Sequence, residues 1–182
     1  GPPDEGEPRS PRRCRTSVSE ALIIRPGTGA DYDRVIPQLD EWWGGRSMAS
    51  MLPRLFFTHF EPWTYVAEQE GQTIGFLCGF RSQSDPSIVY CHFIGIAPET
   101  RGRGVGERLY ERLFADALAA GCGAVHAVTS PQNRGSIAFH TRLGFAVVPG
   151  PRETDGVSWH PDYDGPGEDR VRFKRTLQNP NV

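Results

Sequence analysis

Arg101-Gly-Arg-Gly-Val-Gly106 carries the residue types and spacing best suited to chemistry in this 182-residue chain. It follows an apolar strand, Ile94-Gly-Ile-Ala97, and enters a helix whose apolar positions Leu109, Leu113, Phe114, Ala117 and Leu118 repeat at helical spacing. Gly102, Gly104 and Gly106 remove Cβ atoms, so successive backbone N–H groups can close around a phosphate. The helix beginning near Val105 adds its positive end. Arg101 and Arg103 bring two permanent charges. The chemistry is capture of an anion, with phosphate as its natural form.

Spacing separates three phosphate-binding designs. A dinucleotide fingerprint, G-x-G-x-x-G, started at Gly102 requires glycine at position 107, where the chain has Glu107. A P-loop requires lysine after its last glycine, and none follows here. What remains is R-x-x-G-x-G. A second segment, Thr129 to Phe145, holds Asn133, Ser136, Phe139, His140, Gly144 and Phe145 in the pattern N-x-x-S-x-x-F-H-x-x-x-G-F. In order and distance the two segments resemble the motifs of the GNAT superfamily, the GCN5-related N-acetyltransferases. The resemblance covers about Ala21 to Leu177.

The resemblance implies an α/β (α+β) fold with a central mixed, mostly antiparallel sheet flanked by helices. It also implies acetyl-CoA as co-substrate, with no metal. The pyrophosphate would rest on Arg101, Gly102, Arg103, Gly104, Val105 and Gly106. The strand before the cradle would splay from its neighbour, and the free backbone groups of Ile94, Gly95 and Ile96 would pair with the pantetheine arm like an added strand. The amide after that stretch would face the thioester carbonyl as oxyanion donor. Asn133, Ser136 and Phe139 match the second motif. Asn133 corresponds to a side chain that touches the CoA arm and is equally a natural helix cap.

Acetyl transfer to an amine needs a neutral amine, a polarised carbonyl and a proton for the departing thiolate. His140 stands where many members carry a tyrosine acid, and its unperturbed pKa near 6.5 would make activity depend on pH. The alternative is a polar helix residue beside the cofactor, with water protonating the sulfur. Strand alternation places Tyr90, His92, Ile94 and Ile96 on one face and Cys91, Phe93 and Gly95 on the other. Tyr90 aligns with a glutamate base of some members, so no carboxylate fills that role. His92, closer to the thioester, is the expected base; a core histidine is the competing reading.

For the acceptor, Asp40-Glu41-Trp42-Trp43 sets two carboxylates beside two aromatic faces, a composition suited to a cationic amine. Asp155, in the acidic and aromatic stretch Glu153 to Asp164, is expected to join them, and Tyr90 to line the same site. The predicted function is N-acetyl transfer to a primary amine of a small molecule or an amino terminus, by direct attack in a ternary complex. Two other classes are an acyl-CoA-binding module without turnover and a nucleotide binder, the latter disfavoured by spacing.

The elements that must position these residues follow from periodicity and punctuation. Ala21–Ile24 reads as a strand, and Asp31 to Trp43 as a helix capped by Asp31, with Val35, Ile36 and Leu39 on one face and Gly44-Gly45 at its end. A second helical stretch, 48–60, is interrupted by Pro53. Thr64 to Glu68 and Thr73 to Arg81 form a hairpin about Glu70-Gly71, and Ser87 to Ile96 is the next strand. After the cradle helix, stopped at Gly121, come a strand at 124–129, a helix at 134–143, a strand at 145–148, an irregular lid-like segment from Pro149 to Glu168, and a last strand at 170–176.

Composition bounds the rest. The length fits one domain over 20–178, between a proline- and charge-rich tail, 1–19, expected to be disordered or extended, and a short tail, 179–182. The chain opens on Gly1 rather than Met, as a processed end does. A formal charge of −2 and a pI near 6.2 provide no global basic field, so no nucleic-acid partner is expected. Cys14, Cys78, Cys91 and Cys122 form no C-x-x-C pair, and three lie in apolar stretches, as reduced core thiols do. No run approaches the ~18 apolar residues of a membrane span and no signal-peptide pattern is present. A cytoplasmic monomer or homodimer is expected.

Overall fold

The computed structural model describes residues 21–178, so both predicted tails and Cys14 lie outside the described residues. Strand β1 (Ile23–Pro26) leads into helix α1 (Gly29–Val35), a 3-10 turn at Ile36–Gln38 and helix α2 (Leu39–Trp42). A 3-10 turn at Ala49–Met51 and helix α3 (Leu55–His59) precede β2 (Thr64–Gln69), β3 (Gln72–Arg81) and β4 (Ile88–Ile96). Helix α4 (Val105–Ala119), β5 (Ala124–Thr129), α5 (Arg134–Arg142), β6 (Ala146–Val147), a hairpin of β7 (Arg152–Thr154) and β8 (Val157–Trp159), and β9 (Val171–Thr176) complete the order.

Among the described residues seven strands form one sheet in the order β1-β2-β3-β4-β5-β9-β6. Of these described pairs β4 and β5 run parallel and the others antiparallel. Helices α1 to α3 cover one face, where Trp42 and Phe57 meet Phe76. α4 buries Val105, Leu109, Tyr110, Leu113, Phe114 and Ala117. Cys78, Cys91 and Cys122 are free and buried, as their apolar settings predict. No helix among the described residues is long and apolar enough to cross a membrane.

Several boundaries differ from the sequence expectation, each for a local reason. The first strand lies two residues later, because pairing with β2 runs from Ile23↔Glu68 to Pro26↔Tyr65. Thr28, not Asp31, caps α1. Asp31 instead accepts the Thr28 amide at 2.8 Å from inside the first turn, and Arg25 grips its carboxylate at 2.7 Å. The single helix expected from Asp31 to Trp43 is broken at Pro37, which lacks a donor and crowds the carbonyl four residues back. Val35, Leu39 and Trp42 still bury one face, whereas Ile36 is half-buried. The segment 149–168 is not structureless. Asp155 and Gly156, at φ of 51° and 78°, turn the β7–β8 hairpin, and His160 bridges to Arg170.

One irregularity matters most. In the β3–β4 ladder Cys78 pairs with Phe93 but Gly79 with Cys91, so His92 is the extra residue of a bulge. A bulge exchanges the faces beyond it. Cys91, Ile94 and Ile96 therefore point toward α4, whereas Tyr90, Phe93 and Gly95 share the face of α1 to α3. The alternation expected from the sequence, with Tyr90, Ile94 and Ile96 together, is overturned by this single residue.

Candidate active site

β4 and β5 pair only through Ile88–Tyr90 with Ala124–His126, and beyond Tyr90 they part. The Ala97 amide donates to Ile74 of β3 at 2.8 Å, so alternation turns the amide and carbonyl of Gly95 toward β3 as well. Ile94 and Ile96 turn theirs into the gap. This corrects the expectation for Gly95, whose missing side chain serves packing: an added Cβ would lie 2.5 Å from Phe76 and 2.9 Å from Trp43.

The gap opens on a cleft of about 1170 Å³ between the N-terminal ends of α4 and α5. Gly102 and Gly104 adopt φ of 78° and 80°, a region that only glycine enters without strain. Gly104 is the cap of α4, and the amides of Val105, Gly106 and Glu107 have no acceptor among the described residues. Gly106 seats the helix against Phe139, whose ring would lie 2.9 Å from an added Cβ. Arg101 does not project freely. It donates to the Trp42 carbonyl at 2.6 Å and the Ile96 carbonyl at 3.3 Å, tying cradle to strand. Arg103 is exposed.

Asn133 caps α5 by accepting the Ser136 amide at 3.0 Å, worth about 1 kcal/mol, while it and Ser136 line the cleft. Among the described residues the charged lining groups are Arg46, Arg101, Arg134 and Arg142 against Glu107, with Arg134 also paired to Asp155. Such a wall attracts phosphates. The sequence reading missed Arg46, Arg134 and Arg142; Arg134, beside Asn133 in the second motif, was the one with a visible signal.

His140 is a core residue. It is 3% exposed and stacked on Phe173 at 4.7 Å, bordering the cleft only at its edge. A carbonyl only accepts, so Nδ1, 2.8 Å from the Ser136 oxygen, carries the hydrogen, and Nε2 accepts from the Tyr110 hydroxyl at 2.7 Å. Burial holds its pKa below the ordinary value, the backbone contact to Ser136 offsetting this in part. A neutral ring with both nitrogens engaged has no proton ready for a thiolate, which corrects its expected role as acid. It has a stability consequence instead. The unfolded chain binds a proton on this ring that the folded one refuses, so its stabilising contribution is complete above about pH 6.5 and falls as pH drops toward the folded pKa. Imidazole NMR should show the Nδ1–H tautomer of His140 persisting below pH 6.5; a midpoint above that value would overturn the assignment.

His92 sits at the bulge, its ring stacked on Phe56 at 4.4 Å and Nε2 donating to the Met51 carbonyl at 2.9 Å. The Nδ1 lone pair is thereby left for a proton.

The acidic acceptor site does not assemble. Asp40 accepts the amides of Met48 and Ala49, each at 2.7 Å, and so anchors the turn that carries Met51. Asp155 pairs with Arg134 at 2.6 Å on the β7–β8 turn. Glu41 is exposed. Trp42 is buried against Phe76, and both Trp42 and Trp43 border the phosphate-attracting cleft. Short acidic side chains satisfied loop amides, a use that composition could not distinguish from ligand binding. Tyr90 lines a separate small cavity on the other face.

The profile of the Acetyltransferase (GNAT) family matches residues 32–145. Over 181 residues the chain is 32% identical to L-2,4-diaminobutyric acid acetyltransferase of Nocardia farcinica, covering 94% of this chain and 91% of that protein. Among solved structures, Ard1 from Thermoplasma volcanium superposes with a TM-score of 0.70 at 15% identity, covering 87% of this chain and 99% of that one. The yncA protein of Salmonella typhimurium, solved with its cofactor acetyl-CoA, superposes with a TM-score of 0.63 at 20% identity, covering 89% and 97%.

Proposed function

We propose, from the premise that this chain belongs to the GNAT family of acetyltransferases, that it moves an acetyl group from acetyl-CoA to the primary amine of a small molecule. The observation that carries the reading is the parting of β4 and β5 beside a glycine cradle at the start of α4. The relative named for diaminobutyric acid, aligned along nearly the whole chain, supports a small amine rather than a protein terminus.

The residues present fit acetyl-CoA. Gly102 and Gly104 leave open space where side chains would intrude, and free amides at the start of α4 meet the pyrophosphate with Arg103 nearby. Ile96 pairs with the pantetheine arm, and Asn133, Ser136 and Phe139 line its far wall. Bound acetyl-CoA supplies an activated acyl carbon. The Ile94 amide, facing the gap near His92, donates to the carbonyl oxygen as charge develops there. His92 Nδ1 takes the proton released as the new N–C bond forms, directly or through one water. The sulfur leaves with the C–S electron pair and takes its proton from water in the cleft, His140 being sealed.

The test is thiol release from acetyl-CoA with a panel of small primary amines. Intersecting initial-rate lines are expected for direct transfer in a ternary complex. Parallel lines would replace it with a covalent acetyl-enzyme, and absence of amine-dependent release would sink the reading.

A further inference from the structure

Aromatic rings continue on both sides of His92. Toward the cleft, Phe93 lies beside it at 6.2 Å and meets Trp43, a cleft-lining residue, at 5.2 Å. Away from the cleft, Phe56 stacks on His92 at 4.4 Å, Phe60 follows Phe56 at 5.1 Å, and Phe80 follows Phe60 at 5.6 Å. One aromatic row thus runs from the wall of the donor cleft past the base. Phe56 is buried, but His92, Phe60 and Phe80 are only half-buried, so the row keeps an open side. Beside it stand Met51 and Leu55, 44% and 43% exposed, two of the four large apolar side chains that the described residues leave exposed. The Met51 carbonyl is the one that holds the His92 ring. A helical step of about 100° sets Leu55 next to Phe56 and nearly opposite Phe57, hence on the His92 side of α3. The turn from Trp43 to Met51 reaches both regions, so cleft and patch share a wall. Acids close by in the chain are spent elsewhere, Asp40 on the amides of Met48 and Ala49 and Asp33 on Arg54 at 2.5 Å.

We propose that this row receives the body of the acceptor, and that the acceptor is an arylalkylamine, a primary amine on a short chain that ends in an aromatic ring. This deepens the acetyl-transfer reading and rests on it, because an acceptor whose amine meets His92 Nδ1 must lay the rest of itself on what surrounds that ring. What surrounds it is aromatic and aliphatic carbon. An aryl group gains there twice, by leaving water and by the offset or edge-on geometry of rings about 4.5–7 Å apart. Apolar walls also disfavour the ammonium form, which leaves the amine neutral for attack.

The experiment compares 2-phenylethylamine with ethanolamine and 1,4-diaminobutane by thiol release at saturating acetyl-CoA. 2-Phenylethylamine should exceed both by about 10- to 100-fold in kcat/KM, the worth of burying one phenyl group. Leu55→Gln, at an exposed position, should raise its KM about 3- to 10-fold with kcat retained, and Leu55→Phe, which adds a ring to the row, should lower it. A gain of affinity cannot come from a folding defect. Preference for either polar amine, or Leu55 variants that move all three amines equally, would overturn the proposal. So would a dimer in sedimentation that Leu55→Gln splits, since a second copy would then cover the patch. Should no amine release thiol, binding of 2-phenylethylamine to the protein with CoA, read by calorimetry, keeps the two readings apart. Binding that Leu55→Gln weakens and Leu55→Phe tightens upholds the aromatic row although acetyl transfer has failed, and no binding to the unaltered protein overturns it.

Discussion

The Gly104→Glu variant should fold and lose acetyl-CoA affinity by about 100-fold or more, since a carboxylate would stand at the helix N-terminus where a pyrophosphate must rest. Two effects combine at this position and can be separated. At φ of 80° any side chain carries backbone strain of ~1–2 kcal/mol, but the space around Gly104 is open, so the strain is the whole steric penalty. Gly104→Ala shares the strain without the charge and should bind acetyl-CoA only several-fold more weakly. Gly106→Glu should also abolish binding, less cleanly, because Phe139 blocks its Cβ. Arg103→Ala should matter less than either, its charge being exposed. Calorimetric titration with CoA, alongside thermal melts, decides the matter: unchanged affinity in folded Gly104→Glu would refute the cradle.

His92→Ala should lower kcat by ~100- to 10,000-fold with little change in acetyl-CoA affinity, the range general base catalysis contributes. His92→Phe retains the stack on Phe56 without a nitrogen and should be as impaired, which separates proton transfer from packing. Near-native kcat in both variants across pH 6 to 9 would remove His92 from the chemistry and leave positioning and backbone polarisation to carry it.

The cradle was legible in the sequence because its cause is local: glycines at 102 and 104 announce positive φ, and a helix must follow. The face of His92 was not legible, because the bulge belongs to the pairing of β4 with β3 and appears in neither strand alone. Asp40 misled for a similar reason, its amide partners lying eight and nine residues onward in an irregular turn. His140 was placed correctly on its helix, but its burial depends on Phe173 from the last strand and Tyr110 from α4. The Asp155-Gly156 turn was readable as a hairpin signal, and only the brevity of its three-residue strands hid it.

Strand β4 stands between the donor cleft and the face that holds His92. The cleft is built from the turn at Arg101 to Gly106 and the start of α5, with Trp42, Trp43 and Arg46 completing it, whereas His92, the proposed base, is held from the other face by Met51 and Phe56. Substitutions on the acceptor side can therefore accumulate under selection without disturbing the grip on the donor, and a duplicated gene could acquire a new acceptor while inheriting the cradle intact. Divergence is easy where one wall separates two vocabularies, and the bulge at His92 is the point where both must still agree.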